Sequence, residues 1–307
     1  MPNLNNLYKI KDSEKSTSEG IAAYIVALMF GLIVLVVFSI FAYVTKDVGV
    51  ETRETDSSRA FSAAEAGAEA LIVGGSGVGS FDGGRSAYSG SIGTIAEGET
   101  EYNYPKRIAS GESATLWFVA HDTDGNLTCA DDTCYVGADF DVCWGDPGAS
   151  MPADDIPAVE VSIYYDENKL SSPGNFSAVE VARAAYDPNG TRSDENYFDS
   201  DSGSSCEIGD NSYQYKAVIT INPVNFSQVG CSGAGCLLMA SVRLIYNPSP
   251  QPVGFIVRGG TLPSQGKQYN VVGTSSQASS RVVVEEPYLP IPPIFDAALF
   301  SPQNIVQ

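Results

Sequence analysis

The stretch from Ile21 to Val44 constrains this chain more than any other. Only Gly31 and Ser39 in it are not apolar, and no charge stands between Glu19 and Lys46. As a helix, the uncharged span 20–45 reaches about 39 Å at ~1.5 Å per residue. A bilayer's hydrocarbon core is roughly 30 Å thick, so the span crosses it with some tilt. A soluble surface helix is apolar along one stripe rather than all round. A secretory signal has a shorter apolar region, roughly 7–15 residues, and small residues at its cleavage site. The exit here reads "FAYVTK". The sequence therefore predicts a transmembrane helix over 21–45 behind a short leader, 1–20.

Lysine and arginine do not decide which side the remainder occupies. Lys9, Lys11 and Lys15 precede the span, and Lys46, Arg53 and Arg59 follow it. The cysteines say more. Cys129, Cys134, Cys143, Cys206, Cys231 and Cys236 all lie beyond the span. An even set confined to one side reads as disulfides in an oxidising compartment. Zinc is the rival, but zinc motifs more often use C-x2-C, and the single histidine, His121, adds little. The expected pattern is two local C-x4-C loops plus Cys143–Cys206, although spacing alone does not fix connectivity. N-x-S/T sequons at Asn126, Asn175, Asn189 and Asn225 suit an exported surface.

No proline occurs between Pro2 and Pro105, so nothing stops the helix at Thr45. Over 46–73 the chain is mixed in charge, and Phe61, Ala64, Ala68, Leu71 and Ile72 recur at helical spacing. This predicts an amphipathic half that needs a surface to lie on. Gly74 and Gly75 give the stop. A helix over 20–73 would be about 80 Å long at ~1.5 Å per residue. A glycine-rich link is expected over 74–94. Beyond it come short runs such as "ATLWFVAH", "AVEVSIYY", "AVEVARAAY", "YQYKAVITI", "LLMASVRLIY", "VGFIVRG" and "SRVVVEE". Many alternate apolar and polar residues, as strands with one buried face do. The expected fold class is α+β, a long helix packed on an antiparallel β-rich head over 95–290. A proline-rich extended tail follows at 291–307.

A leader ending in Gly20, then Ile21 and an apolar helix that runs on into an amphipathic half, resembles a type IV pilin or pseudopilin. The segment "RAFSAAEAGAEAL", 59–71, resembles the amino-terminal motif of PilX-type minor pilins, with Ala64, Glu65, Ala66 and Gly67 at its centre. The resemblance covers 20–73. It implies cleavage between Gly20 and Ile21 by a prepilin peptidase, and a membrane-held subunit drawn into a filament by inner-membrane assembly machinery. There the helix would pack against other pilin subunits. Either location excludes water, so an all-round apolar helix suits both. Pilins usually carry glutamate at the fifth mature residue, where this chain has Ile25. Its leader also offsets three lysines with Asp12, Glu14 and Glu19. An uncleaved, membrane-anchored surface protein is the alternative class, and an exported hydrolase a remoter one.

The head is expected to be non-catalytic. A serine or cysteine nucleophile usually needs a histidine base, and His121 sits where a strand run meets "DTDGN". The run "GGSGVGSFDGG" lacks the G-K-[ST] ending of a phosphate loop. A formal net charge of −20 and a pI near 4.2 argue against nucleic acid as a partner. No cofactor is expected except calcium as a candidate. Asp122, Asp124 and Asn126 alternate as oxygen ligands can, with Asp131 and Asp132 nearby. The glycine comes early for an EF-hand and the closing glutamate is missing, and "DGN" is equally a hairpin turn.

Overall fold

The computed structural model describes residues 13–129, 134–148, 153–169, 179–200, 205–221, 229 and 231–289. The proline-rich tail, the first part of the leader, Asp131, Asp132, Asn175 and Asn225 lie outside the described residues. The chain divides into two compact units.

The first unit comprises the described residues up to Gly90 together with Val271–Val282. Its helix α1 runs unbroken over Ser13–Ile72, beginning inside the expected leader. The end of α1 is fixed by the glycine pair. Gly74 takes a left-handed φ of 78°. Its N–H donates to Leu71 O at 3.0 Å, while Gly75 N–H donates to Ala70 O at 2.7 Å. This crossed pair satisfies carbonyls that a helix end otherwise leaves open.

Strands are numbered along the chain. The stretch expected as a link instead forms β1 (Val78–Phe81) and β2 (Ser86–Thr94). They pair antiparallel from Val78↔Ser89 to Phe81↔Ser86. Glycine is needed there for closeness rather than slack. A Cβ on Gly79 would collide with the ring of Tyr88. With β15 (Gly266–Ser275) and β16 (Ala278–Pro287) these strands make a sheet ordered β1-β2-β15-β16.

The second unit comprises Ser91–Asn270 and the described residues from Val283 onward. One sheet has the order β12-β7-β14-β3, from β3 (Glu101–Asn103), β7 (Asp139–Trp144), β12 (Tyr215–Thr220) and β14 (Val253–Arg258). The other has the order β4-β13-β8-β9, from β4 (Ser113–Trp117), β8 (Ala158–Asp166), β9 (Val179–Tyr186) and β13 (Leu237–Ile245). Each adjacent pair is antiparallel. Small hairpins pair β5 (Ala120–His121) with β6 (Leu127–Thr128), and β10 (Cys206–Ile208) with β11 (Asn211–Tyr213). A short helix α2 spans Gly190–Asn196.

Alternate residues of both sheets meet in one core. Phe140, Val142, Trp144, Ile219 and Phe255 come from one sheet, and Leu116, Val161, Ile163, Ala240 and Val242 from the other. Two buried polar groups of this sheet are paired, as burial favours. Trp144 Nε1 donates to Pro157 O at 2.8 Å. The buried Asp141 carboxylate receives the Arg258 guanidinium. The fold is thus an apolar amino-terminal helix with a mainly antiparallel β region, which is α+β.

Candidate functional site

The amino-terminal segment offers the first candidate. Ile21–Val44 is one continuous helical stretch, long and apolar enough to cross a membrane, and its side chains are exposed throughout. The Gly20–Ile21 peptide lies within α1. Ile25, at the position where pilins carry a carboxylate, is 52% exposed.

Further along α1, the resemblance motif lies against strands of its own unit. Ala60, Ala63, Ala64, Ala68 and Leu71 are buried. A Cβ on Gly273 of β15 would collide with Ala60 O and Ala64 N. A Cβ on Gly67 would stand 2.5 Å from Tyr88 Cδ2 of β2. The close contact therefore selects methyls and glycine. Glu65 is exposed and Ala66 half-buried. Phe61 and Ile72, expected on the packed stripe, stand 47% and 45% exposed. Ala60 and Ala63 are buried instead, and the α1 backbone at Ala60 and Ala64 comes close to Gly273.

In the second unit the described structure joins Cys129 to Cys134, Cys143 to Cys206 and Cys231 to Cys236. The first bridge closes a short loop that begins directly after β6 of the β5–β6 hairpin, whose turn carries the calcium candidates. Asp122 Oδ1 accepts Asp124 N–H at 2.9 Å and Asn126 N–H at 2.8 Å. Asp122 Oδ2 accepts Asn126 Nδ2–H at 3.2 Å. These donors hold the carboxyl below the usual range. Both oxygens thus serve the turn, and Asp124 and Asn126 face outward. Among the described residues no cluster of three or more histidine, cysteine, aspartate and glutamate side chains gathers as metal ligands would.

Beside the same hairpin is a cleft of about 580 Å3, lined by Trp117, His121, Asp122, Lys267, Glu286 and Tyr288 among others. His121 stacks on Tyr288 with ring centroids 3.8 Å apart and meets Trp117 edge-on at 4.5 Å. Gln265 positions the tryptophan. Its Oε1 accepts Trp117 N–H at 2.8 Å and its Nε2 donates to Trp117 O at 2.9 Å, so the buried amide replaces a strand along β4. Burial lowers the His121 pKa to about 4, against the raising effect of the Asp122 charge. A neutral imidazole between two rings offers shape and stacking to a ligand rather than charge. Sequence reasoning assigned His121 to a strand end and missed Trp117, Lys267 and Tyr288 as its neighbours. No local spacing links His121 to Tyr288.

Comparison of the chain with protein-family models, with curated proteins and with solved structures returns no match.

Proposed function

We propose that this chain is a non-catalytic minor subunit of a type IV pilus-like filament, of the PilX type. In this reading it waits in the membrane as a single-pass protein with its head on the extracytoplasmic side. After cleavage between Gly20 and Ile21 it joins the filament. The carrying observation is one continuous helix, Ser13–Ile72, in which the apolar Ile21–Val44 run leads into the Ala64-Glu65-Ala66-Gly67 segment. The apolar half serves membrane and filament alike. The amphipathic half packs through alanine and glycine on the sheet of its own unit. Disulfides on the far side of the span fit an exported head, which would present its cleft to surfaces or partners.

Ile25 bears on position in the filament. A carboxylate buried in a filament core needs the amino terminus of a neighbour, and removing one partner of such a pair costs about 3–5 kcal/mol. A repeating subunit lacking it meets that cost at every step, whereas a subunit at an end need not. The chain is therefore expected at low copy number near an end, where it primes, caps or decorates.

The same residue favours a second reading, an anchored surface protein that is never cleaved and never polymerises. Sequencing of the mature amino terminus, with quantitative mass spectrometry of sheared filaments, separates the two. A start at Ile21 and substoichiometric recovery from filaments support the subunit. An intact leader with all protein left in the membrane supports the anchor, and a copy number equal to the main pilin rejects the end position.

A further inference from the structure

Two sequons fall within the described residues, and the fold treats them oppositely. Asn189 is 9% exposed. Its Oδ1 accepts Thr191 N–H at 3.2 Å and Arg192 N–H at 3.3 Å, which caps α2. Its own N–H donates to Oδ1 of Asp187, a carboxylate with no exposed surface that is ion-paired to Arg192. A bulky group on this side chain would have to displace the cap and open a buried ion pair.

Asn126 is placed the other way. It is exposed at the end of the β5–β6 turn, where Asp122 N–H donates to Asn126 O at 2.9 Å. The turn is held by Asp122, and the Cys129–Cys134 bridge follows directly on β6. Among the described residues only the contact at 3.2 Å to the exposed Asp122 carboxylate engages its Nδ2, which leaves its second amide hydrogen without a described partner. Leu127 and Thr128 complete the acceptor triplet as β6. Its side chain thus lies on the exposed surface and not in the core.

We propose that Asn126 is an N-glycosylation site, the described sequon that the fold leaves open to a lipid-linked glycan. In the transfer, a bond forms between Asn126 Nδ2 and C1 of the first sugar. The bond between that C1 and the phosphate oxygen of a polyprenyl phosphate-type carrier breaks. The phosphate oxygen keeps the electron pair, and one Nδ2 proton passes to a base of the transferase. The glycan would then stand at the rim of the cleft that Gly125 and Asp122 line. The proposal rests on the extracytoplasmic head of the preceding reading but not on filament assembly.

The test uses the full chain, expressed from its own gene in its own cells, with Asn175→Gln and Asn225→Gln as background. The folded, non-reduced product is digested and its peptides are measured by mass spectrometry before and after enzymatic glycan release. The expected result is a glycan on the Asn126 peptide and none on the Asn189 peptide. Asn126→Gln and Thr128→Ala should each abolish the electrophoretic shift, while Thr128→Ser keeps it and Asn189→Gln leaves it unchanged. An exported, fully oxidised head with unmodified Asn126, or with the glycan on Asn189, overturns the site while leaving export intact. Free thiols on a chain retained inside the cell overturn export, and the site with it.

Discussion

Gly67 of α1 lies under the ring of Tyr88, with space for a hydrogen and not for a methyl. A Cβ there would be 2.5 Å from Tyr88 Cδ2, 2.6 Å from Cγ and 2.8 Å from Val271 Cγ1. Two effects compete in Gly67→Ala. Helix propensity favours alanine by about 0.8–1.0 kcal/mol. Overpacking costs typically 1–3 kcal/mol. The ring and the Val271 methyl press from the same side, so the clash should win and the variant should lose about 1–2 kcal/mol net. Among the described residues nothing lies within 4 Å of a Cβ at Gly31, and Gly31→Ala should not destabilise. Thermal unfolding of the two variants side by side checks this, and a stabilised Gly67→Ala would contradict the close contact.

Gln265 replaces a missing strand beside Trp117, and its removal should cost more than a surface amide does. Gln265→Leu fills the volume but leaves Trp117 N–H and C=O without their partners. Each buried unpaired group costs about 1–3 kcal/mol. The expected loss is roughly 2–4 kcal/mol. Red-shifted, less structured tryptophan emission should accompany it, because Trp117 holds one wall of the cleft.

The bridges should differ in worth. Cys143–Cys206 closes a separation of 63 residues, whereas Cys129–Cys134 and Cys231–Cys236 each close 5. On the chain-entropy account the long loop is worth roughly 4 kcal/mol and a short one about 2. Replacing Cys143 and Cys206 by alanine should therefore destabilise the second unit about twice as much as replacing either local pair. Denaturant midpoints of the three double variants give the comparison. Equal losses would show that native packing, not loop closure, sets the value of each bridge.

The sequence displayed these features unequally. The membrane-length helix was legible because a run of 24 residues, Ile21–Val44, holds no charge. Strands rich in apolar residues, such as β8 and β13, were legible too. β7 was passed over although "DFDVCW" alternates, because Asp141 is neutralised by Arg258, which lies far away in sequence. β1 and β2 were read as a link because glycine marks both slack chain and close approach, and only Tyr88 distinguishes them. The helix stripe was misjudged at Phe61 and Ile72 for the same reason. Periodicity identifies the apolar positions, but which of them are covered depends on where the helix backbone comes close to the strands, as at Ala60 and Ala64 beside Gly273. The aromatic cleft was not legible at all, since its walls come from segments joined only by the fold.

His121 gives the last expectation, and its direction follows from linkage. Burial between Trp117 and Tyr288 lowers its pKa to about 4, opposed by the Asp122 charge, whereas an unfolded histidine titrates near 6.5. Lys267 and Glu286 also border the cleft. Between about pH 6.5 and 4 the unfolded chain holds a proton that the folded head does not, so stability falls as pH falls. The neutral ring's contribution is complete above about pH 6.5 and is lost progressively down to about 4. The Asp187 carboxyl acts in the same direction at lower pH. Burial alone would raise its pKa, but hydrogen bonds from Arg192, Asn189 and Asn196 hold it below the usual carboxylate range. Stability from that carboxylate is present above its unfolded pKa and is lost as pH falls through the folded one. His121→Phe keeps a ring between its neighbours and removes the titration. The variant should show a flatter dependence of unfolding midpoint on pH between about 6.5 and 4, with the steeper loss at lower pH retained. In the unmutated head, the imidazole Cε1–H resonance should remain that of a neutral ring at pH 5. A titration midpoint near 6.5, or an unchanged slope in the phenylalanine variant, would mean that His121 is not held in the cleft between its two aromatic neighbours.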